Sequence, residues 1–255
     1  MGAVPGSPGT VRTRVRAVVV DIEGTTSPTD AVHGQLFADA RDQLAGWVAA
    51  HHDEPDVAAA LDAARQEAGL PAGAPLDAVV AALTRWIDED VKATPLKTIE
   101  GRIWAEGFAV GRLDAHFFAD VAPALRRWSD DGVHLAVFSS GATSVQRPWF
   151  GAAADGDLTS IVTEFFDTVN AGPKQDAASY ERIAATVGAR WSTTPDQLLF
   201  LSDVPGELDA AAAAGWQTVG VRRPGEPQAS TDFGAHPTVT SFAGIAVLPA
   251  EAAAR

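Results

Sequence analysis

Four short apolar runs constrain this 255-residue chain more than anything else in it. Each closes on a polar or small residue, and helix-length stretches separate them. Val15–Val20 is β-branched, has no helical period and ends at Asp21. His134–Ser139, Phe165–Val169 before Asn170, and Leu198–Ser202 before Asp203 repeat the theme, and Gln217–Val221 and Thr238–Thr240 complete the set. Runs of this length without a 3.6-residue period read as buried strands. Strands alternating with helices predict an α/β fold, a Rossmann-like parallel sheet covered on both faces. In such sheets ligands sit at the carboxyl ends of the strands. Asp21, Ser139, Asn170 and Asp203 all fall there.

One stretch does not alternate. From Leu36 to Phe118 the pattern is helical throughout. Leu36, Phe37, Ala40, Leu44, Trp47 and Val48 form one stripe, and Leu76, Val79, Val80, Leu83, Ile87 and Val91 form another. Between them a helix capped by Asp56 would stop near Gly69. The expected organisation is a catalytic core of 15–31 and 119–248 with a helical cap, 32–118, inserted into it. Residues 1–14, with Gly2, Pro5, Gly6, Pro8 and Gly9, read as a flexible arm, and 249–255 as a tail.

Composition narrows the function classes. The chain carries 33 Asp and Glu against 19 Lys and Arg, a formal charge of -14. That field repels phosphate backbones and anionic lipid, so neither nucleic acid nor membrane is an expected partner. With no cysteine there is no disulfide, thiolate nucleophile or Cys-based metal site. The six histidines show no ligand spacing, and neither a G-x-S-x-G elbow nor a Gly-rich nucleotide loop occurs. No apolar stretch marks a signal peptide or a span. The expectation is a cytoplasmic protein, monomer or small homo-oligomer, acting on a small molecule.

Four segments carry the chemistry. In Asp21-Ile22-Glu23-Gly24-Thr25-Thr26, alternation puts the carboxylates of Asp21 and Glu23 on one side of a strand end. One can attack as a nucleophile while the other moves protons; the same letters also suit an ordinary strand end turning through glycine. Phe138-Ser139-Ser140-Gly141 offers hydroxyls and N–H groups to an anionic oxygen. Ala171-Gly172-Pro173-Lys174 would hold an ammonium at a strand end, where it could pair with a phosphate or the attacking carboxylate. Ser202-Asp203-Val204-Pro205-Gly206-Glu207 delivers two more carboxylates. Beside Asp21 these would repel one another unless a cation is present, and hard oxygen ligands imply Mg²⁺.

In this order the segments resemble the haloacid-dehalogenase-like phosphatases, with the helical insert similar to their cap. Glu23, where most of these phosphatases carry Asp, narrows the likeness to the enolase-phosphatases of methionine salvage. So do Pro95-Leu96-Lys97, Gly101-Arg102-Ile103-Trp104, Ser179-Tyr180 and Glu207-Leu208-Asp209. The resemblance implies Asp21 as nucleophile and Mg²⁺ ligand, and Glu23 as acid/base that also contacts Mg²⁺. It implies Ser139 and Ser140 as phosphate binders, Lys174 as the neutralising cation, Asp203 as a further metal ligand and Glu207 as a supporting carboxylate. The implied reaction enolises 2,3-diketo-5-methylthiopentyl-1-phosphate and releases phosphate, leaving an acireductone. The alternative is another small phosphate, such as a sugar or cyclitol phosphate. Ala31, Ala38, Asp39, Glu100 and Arg147 depart from the family pattern, and several of these positions would meet a substrate tail.

Overall fold

The computed structural model describes residues 10–89, 91 and 93–251. They divide into two compact units. One runs to Thr29 and resumes at Ala115, and the other spans Asp30–Asp114.

The first unit begins with β1 (Val11–Val15) and β2 (Ala17–Val20), and β3 (His134–Phe138), β4 (Val162–Phe166), β5 (Leu198–Ser202), β6 (Gln217–Val221), β7 (Thr238–Val239) and β8 (Ile245–Pro249) follow. The main sheet is parallel throughout, in the order β4-β3-β2-β5-β6-β7. From central β2 the chain builds outward through β3 and β4, then crosses back to build through β5, β6 and β7. The order therefore reverses between β2 and β5, where open α/β sheets leave a crevice beyond their carboxyl ends. Val20 lies level with Val137 and Leu201, so the polar residues that follow each strand emerge together.

In chain order the helices are α1 (Thr29–His51), α2 (Pro55–Glu67), α3 (Leu76–Asp88), α4 (Thr94–Ala109), α5 (Val121–Asp130), α6 (Thr143–Gly151), α7 (Ala177–Trp191) and α8 (Pro205–Ala213). One face of the main sheet buries Ala17, Val19, Phe138, Phe166 and Phe200 with Tyr180, Ile183 and Val187 of α7 and Leu208 of α8. The alternate residues Val18, Val20, Leu135, Val137, Leu199 and Leu201 are buried just as fully, as a doubly covered sheet requires. In the second unit the buried stripes are Leu36, Leu44 and Val48 of α1, Val57 and Leu61 of α2, Val79 and Leu83 of α3, and Leu96, Ile99 and Ile103 of α4.

Local boundaries differ from the sequence reading at several places. Val15–Val20 is not one strand. It breaks at Arg16, whose guanidinium reaches the carbonyls of Trp191 and Ala250, and β1 joins β8 in a separate two-stranded parallel sheet. Val11–Arg14 are therefore strand rather than arm. Thr13 and Val15 turn inward while Arg12 and Arg14 face out, and the pairing partner lies at the far end of the chain. The remainder of the expected arm, 1–9, and residues 252–255 of the tail lie outside the described residues. β4 ends at Phe166 rather than Val169. Asp167 Oδ1 accepts from the N–H groups of Val169 and Asn170, and Asn170 Oδ1 accepts from Asp167 N–H, closing a turn. Glu54 rather than Asp56 precedes α2, because Pro55 takes the first helical position.

Asp39, one of the departures from the family pattern, is committed within the second unit. Arg112 grips both its oxygens, at 2.6 and 3.1 Å, and also donates to Ile103 O.

A second grip braces the first unit. Arg223, 3% exposed, donates through Nη1 to both oxygens of Asp120 at 2.7 and 2.9 Å, and through Nε to Thr25 O at 3.0 Å. Its guanidinium lies over Phe118 and Phe242. Asp120 Oδ2 also accepts from Phe242 N–H and Ser241 Oγ. Burial disfavours the Asp120 carboxylate, but Arg223 and these donors outweigh it and hold its pKa below the usual value. A carboxyl depressed on folding stabilises above its unfolded pKa and loses that contribution as pH falls through the folded one. Asp120→Asn should cost about 2–3 kcal/mol in urea unfolding at pH 7. The difference from wild type should shrink below about pH 4, as the wild-type carboxyl itself protonates.

Candidate active site

Four strand ends supply the site. Asp21 follows β2, and its N–H donates to Leu201 O of neighbouring β5 at 3.0 Å. The chain then turns sharply, with Ile22 O accepting from the N–H groups of Thr25, Thr26 and Ser27, while Thr26 Oγ1 donates to Asp21 O. Gly24 makes the turn possible. Its φ is +67°, and a Cβ there would lie 2.1 Å from Asp203 Oδ2. Asp203 itself is placed by Thr25, whose Oγ1 accepts from Asp203 N–H at 2.9 Å.

Ser139 and Ser140 follow β3. Ser139 N–H bonds to Phe166 O of β4, and Gln146 Nε2 donates to the carbonyls of Gly141 and Phe166, pinning the loop. Asp167 Oδ2 accepts from Thr143 N–H, tying the same loop to the turn after β4. Ser139 is buried and Ser140 exposed.

Lys174 arrives from the loop after β4. Its backbone is anchored by Tyr180, whose hydroxyl donates to Lys174 O at 2.8 Å, and by Ser179, whose Oγ donates to Pro173 O. Asp176 caps α7 through Ala178 N–H, as the sequence suggests. The Lys174 ammonium lies 5.8 and 6.0 Å from the ring centroids of Phe138 and Phe200. It meets Asp21 Oδ1 at 2.5 Å and Glu207 Oε2 at 2.8 Å. Glu207 Oε2 also accepts from Ser202 Oγ at 2.8 Å. Asp21, Lys174, Asp203 and Glu207 are all buried.

These groups share one cavity of about 190 Å³, lined by Asp21, Glu23, Ser139, Ser140, Lys174, Asp203 and Glu207 together with Thr29, Val204, Pro227 and Gln228. All seven site residues singled out in the sequence line it. Sequence reasoning quoted Thr25, Ser202 and Tyr180 within its motifs but gave them no role, and the structure shows that they position the other groups. It passed over Gln228, which lines the cavity and carried no local signal.

The electrostatics are unbalanced. Asp21, Asp203 and Glu207 bring three buried carboxyls against one buried ammonium. Burial, with Glu207 and Asp203 nearby, pushes Asp21 up to about 8 despite Lys174. Burial and Glu207 push Asp203 up to about 7. Burial disfavours the Lys174 charge, yet Asp21 and Glu207 outweigh it and raise its pKa. A chamber in which Asp21 and Asp203 resist ionisation, and whose carboxylate and hydroxyl groups offer only oxygen, fits a hard divalent cation. Among the described residues no three acidic or histidine side chains form a complete ligand set. Mg²⁺ needs none, since it binds through one or two carboxylates and keeps water or substrate oxygens for the rest. Asp21 and Asp203, with Glu23 lining the same cavity, suit that role.

Comparison with known proteins agrees with this geometry. A family model described as haloacid dehalogenase-like hydrolase matches residues 15–215. The chain is 53% identical over 230 residues to enolase-phosphatase E1 of Saccharopolyspora erythraea, covering 90% of this chain and 95% of that one. It is 52% identical over 236 residues to enolase-phosphatase E1 of Frankia alni, covering 92% and 97%. Among solved structures, UTR4 protein from Saccharomyces cerevisiae superposes with a TM-score of 0.74 at 27% identity, covering 90% of this chain and 99% of that one. With its carboxylate-bearing strand end, its helical insert and half its residues shared with such relatives, the chain belongs to the haloacid dehalogenase-like hydrolases and, within them, to the enolase-phosphatase E1 family.

Proposed function

We propose that this chain converts 2,3-diketo-5-methylthiopentyl-1-phosphate to an acireductone and phosphate, in two steps at the cavity beyond β2 and β5. The observation that carries the reading is the Asp21–Lys174–Glu207 array beside Asp203, three carboxyls and one ammonium enclosed where a phosphate and a cation can enter together. The family relatives, named enolase-phosphatases, support the same chemistry.

In the phosphatase step Asp21 attacks phosphorus in line, the alcohol oxygen leaves, and an aspartyl phosphate forms. Lys174 orients the attacking carboxylate through Oδ1 and offers charge to the phosphoryl oxygens. Ser139 and Ser140 fix those oxygens with hydroxyl and N–H donors. Glu23 protonates the leaving oxygen and then deprotonates the water that hydrolyses the intermediate, regenerating Asp21. In the enolase step the same carboxylate is placed to take a proton from the carbon next to a carbonyl. Asp21, Asp203 and Glu23 would hold Mg²⁺, which would supply electrophilic stabilisation of negative charge developing on oxygen. Glu207 keeps Lys174 charged and pointed at Asp21, with Ser202 holding Glu207.

Incubation with the diketo phosphate, following enol absorbance and phosphate release together, tests the whole reading. Phosphate release from sugar phosphates, with no enol signal from the diketone, would contradict it. Asp21→Asn should lower phosphate release by roughly 10⁴-fold or more while leaving the circular dichroism unchanged. Unchanged turnover in that variant excludes Asp21 as nucleophile. EDTA should abolish activity and added Mg²⁺ restore it; full activity in chelator sinks the metal role. Gly24→Ala should displace Asp203 and add about 1–3 kcal/mol of backbone strain. The Mg²⁺ concentration for half-maximal activity should then rise about tenfold or more, as expected when one carboxylate ligand is misplaced.

A further inference from the structure

The cavity has a wall that none of the four strand-end motifs supplies. After β6 the chain runs through Arg222–Thr231 and brings Pro227 and Gln228 to the cavity beside Thr29. This segment is held at several points. Arg223 is locked to Asp120 and Thr25 O, Glu226 Oε2 accepts from Thr29 N–H at 2.9 Å, and Arg222 donates to Thr231 O. Gln228 is oriented as well. Its Oε1 accepts from Thr231 Oγ1 at 2.6 Å, and its carbonyl accepts from Thr231 N–H at 3.0 Å. Among the described residues the amide Nε2 donates to nothing.

We infer that Gln228 is a substrate-binding residue whose Nε2 donates to a phosphoryl oxygen in the cavity. Charge decides which end of the amide faces inward. Asp21, Glu23, Asp203 and Glu207 line the same space, and an amide oxygen turned toward them would be repelled, whereas an N–H₂ group is attracted. With Oε1 engaged by Thr231, Nε2 is the amide atom left free to serve the cavity that Gln228 lines. A phosphate held there by Ser139, Ser140 and Lys174 gains a further neutral donor from a different part of the chain, the kind of complementary contact that a preorganised anion site needs.

This assignment rests on the phosphatase reading of the cavity, and the test separates the two. Binding of inorganic phosphate in the presence of Mg²⁺ is measured by titration calorimetry, which needs no turnover, alongside KM for the diketo phosphate. Gln228→Ala should weaken phosphate binding and raise KM by about tenfold, the loss of one hydrogen bond to a charged group. Gln228→Glu should weaken both by about a hundredfold, since it adds a like charge to the donor's place. Phosphate affinity within twofold of wild type in both variants overturns the assignment, whatever the turnover. A wild-type protein that binds phosphate through Gln228 but leaves the diketone unchanged overturns the substrate reading alone. One that binds no phosphate at all overturns both.

Discussion

The buried contact of Lys174 with Asp21 and Glu207 is the interaction on which the rest of this structure depends. An ammonium taken out of water is tolerated only when carboxylates surround it, and here two do so at 2.5 and 2.8 Å. Those carboxylates come from opposite sides of the sheet's reversal point, one after β2 and one from the first turn of α8. Holding them together requires parallel strands in register, a loop after β4 long enough to reach across, and an ammonium set beside the rings of Phe138 and Phe200. The sheet is thus a frame for one charge cluster. Because a third carboxylate, Asp203, lies beside it, the cluster remains short of positive charge, and that shortage is what suits it to a cation and an anionic substrate arriving together.

Around the cluster the neighbouring groups are tied by hydrogen bonds from uncharged donors and acceptors. Tyr180 fixes the Lys174 carbonyl, Ser202 fixes Glu207, and Thr25 fixes the Asp203 backbone. Arg223 closes the circuit by bonding Thr25 O and Asp120 at once. Such supports allow charged side chains to keep their geometry while the charges themselves change partners during a reaction. The overall charge of -14 does not oppose phosphate binding, because binding is decided inside a cavity that holds its own ammonium and has room for a metal.

Much of this was legible in the sequence where the signal is local. The strand-ending Asp21, Ser139 and Asp203 mark the sheet's carboxyl edge because apolar runs must stop where the chain meets solvent or ligand. Asp176 before α7 was readable as a cap because side-chain capping depends on neighbours two residues away. Legibility failed where the determinant was distant or geometric. β1 could not be told from an arm, because its partner β8 is at the other end of the chain. β4 was placed three residues late, because the Asp167–Asn170 turn outweighs the β-propensity of Thr168 and Val169. Asp39, a departure from the family pattern, is held by Arg112, a partner 73 residues along the chain that no local pattern points to.

By itself the sequence determined the order and kind of elements, and the chemical identity of the groups at the strand ends. Periodicity and residue type are local properties that survive without coordinates. Only the tertiary structure decided who touches whom: that Glu207 meets Lys174 directly, that Gly24 leaves room for Asp203, and that the segment after β6 presents Gln228 to the same cavity. These are contacts between residues up to about two hundred positions apart. Their distances are set by strand register and loop closure, quantities to which no short stretch of sequence is sensitive.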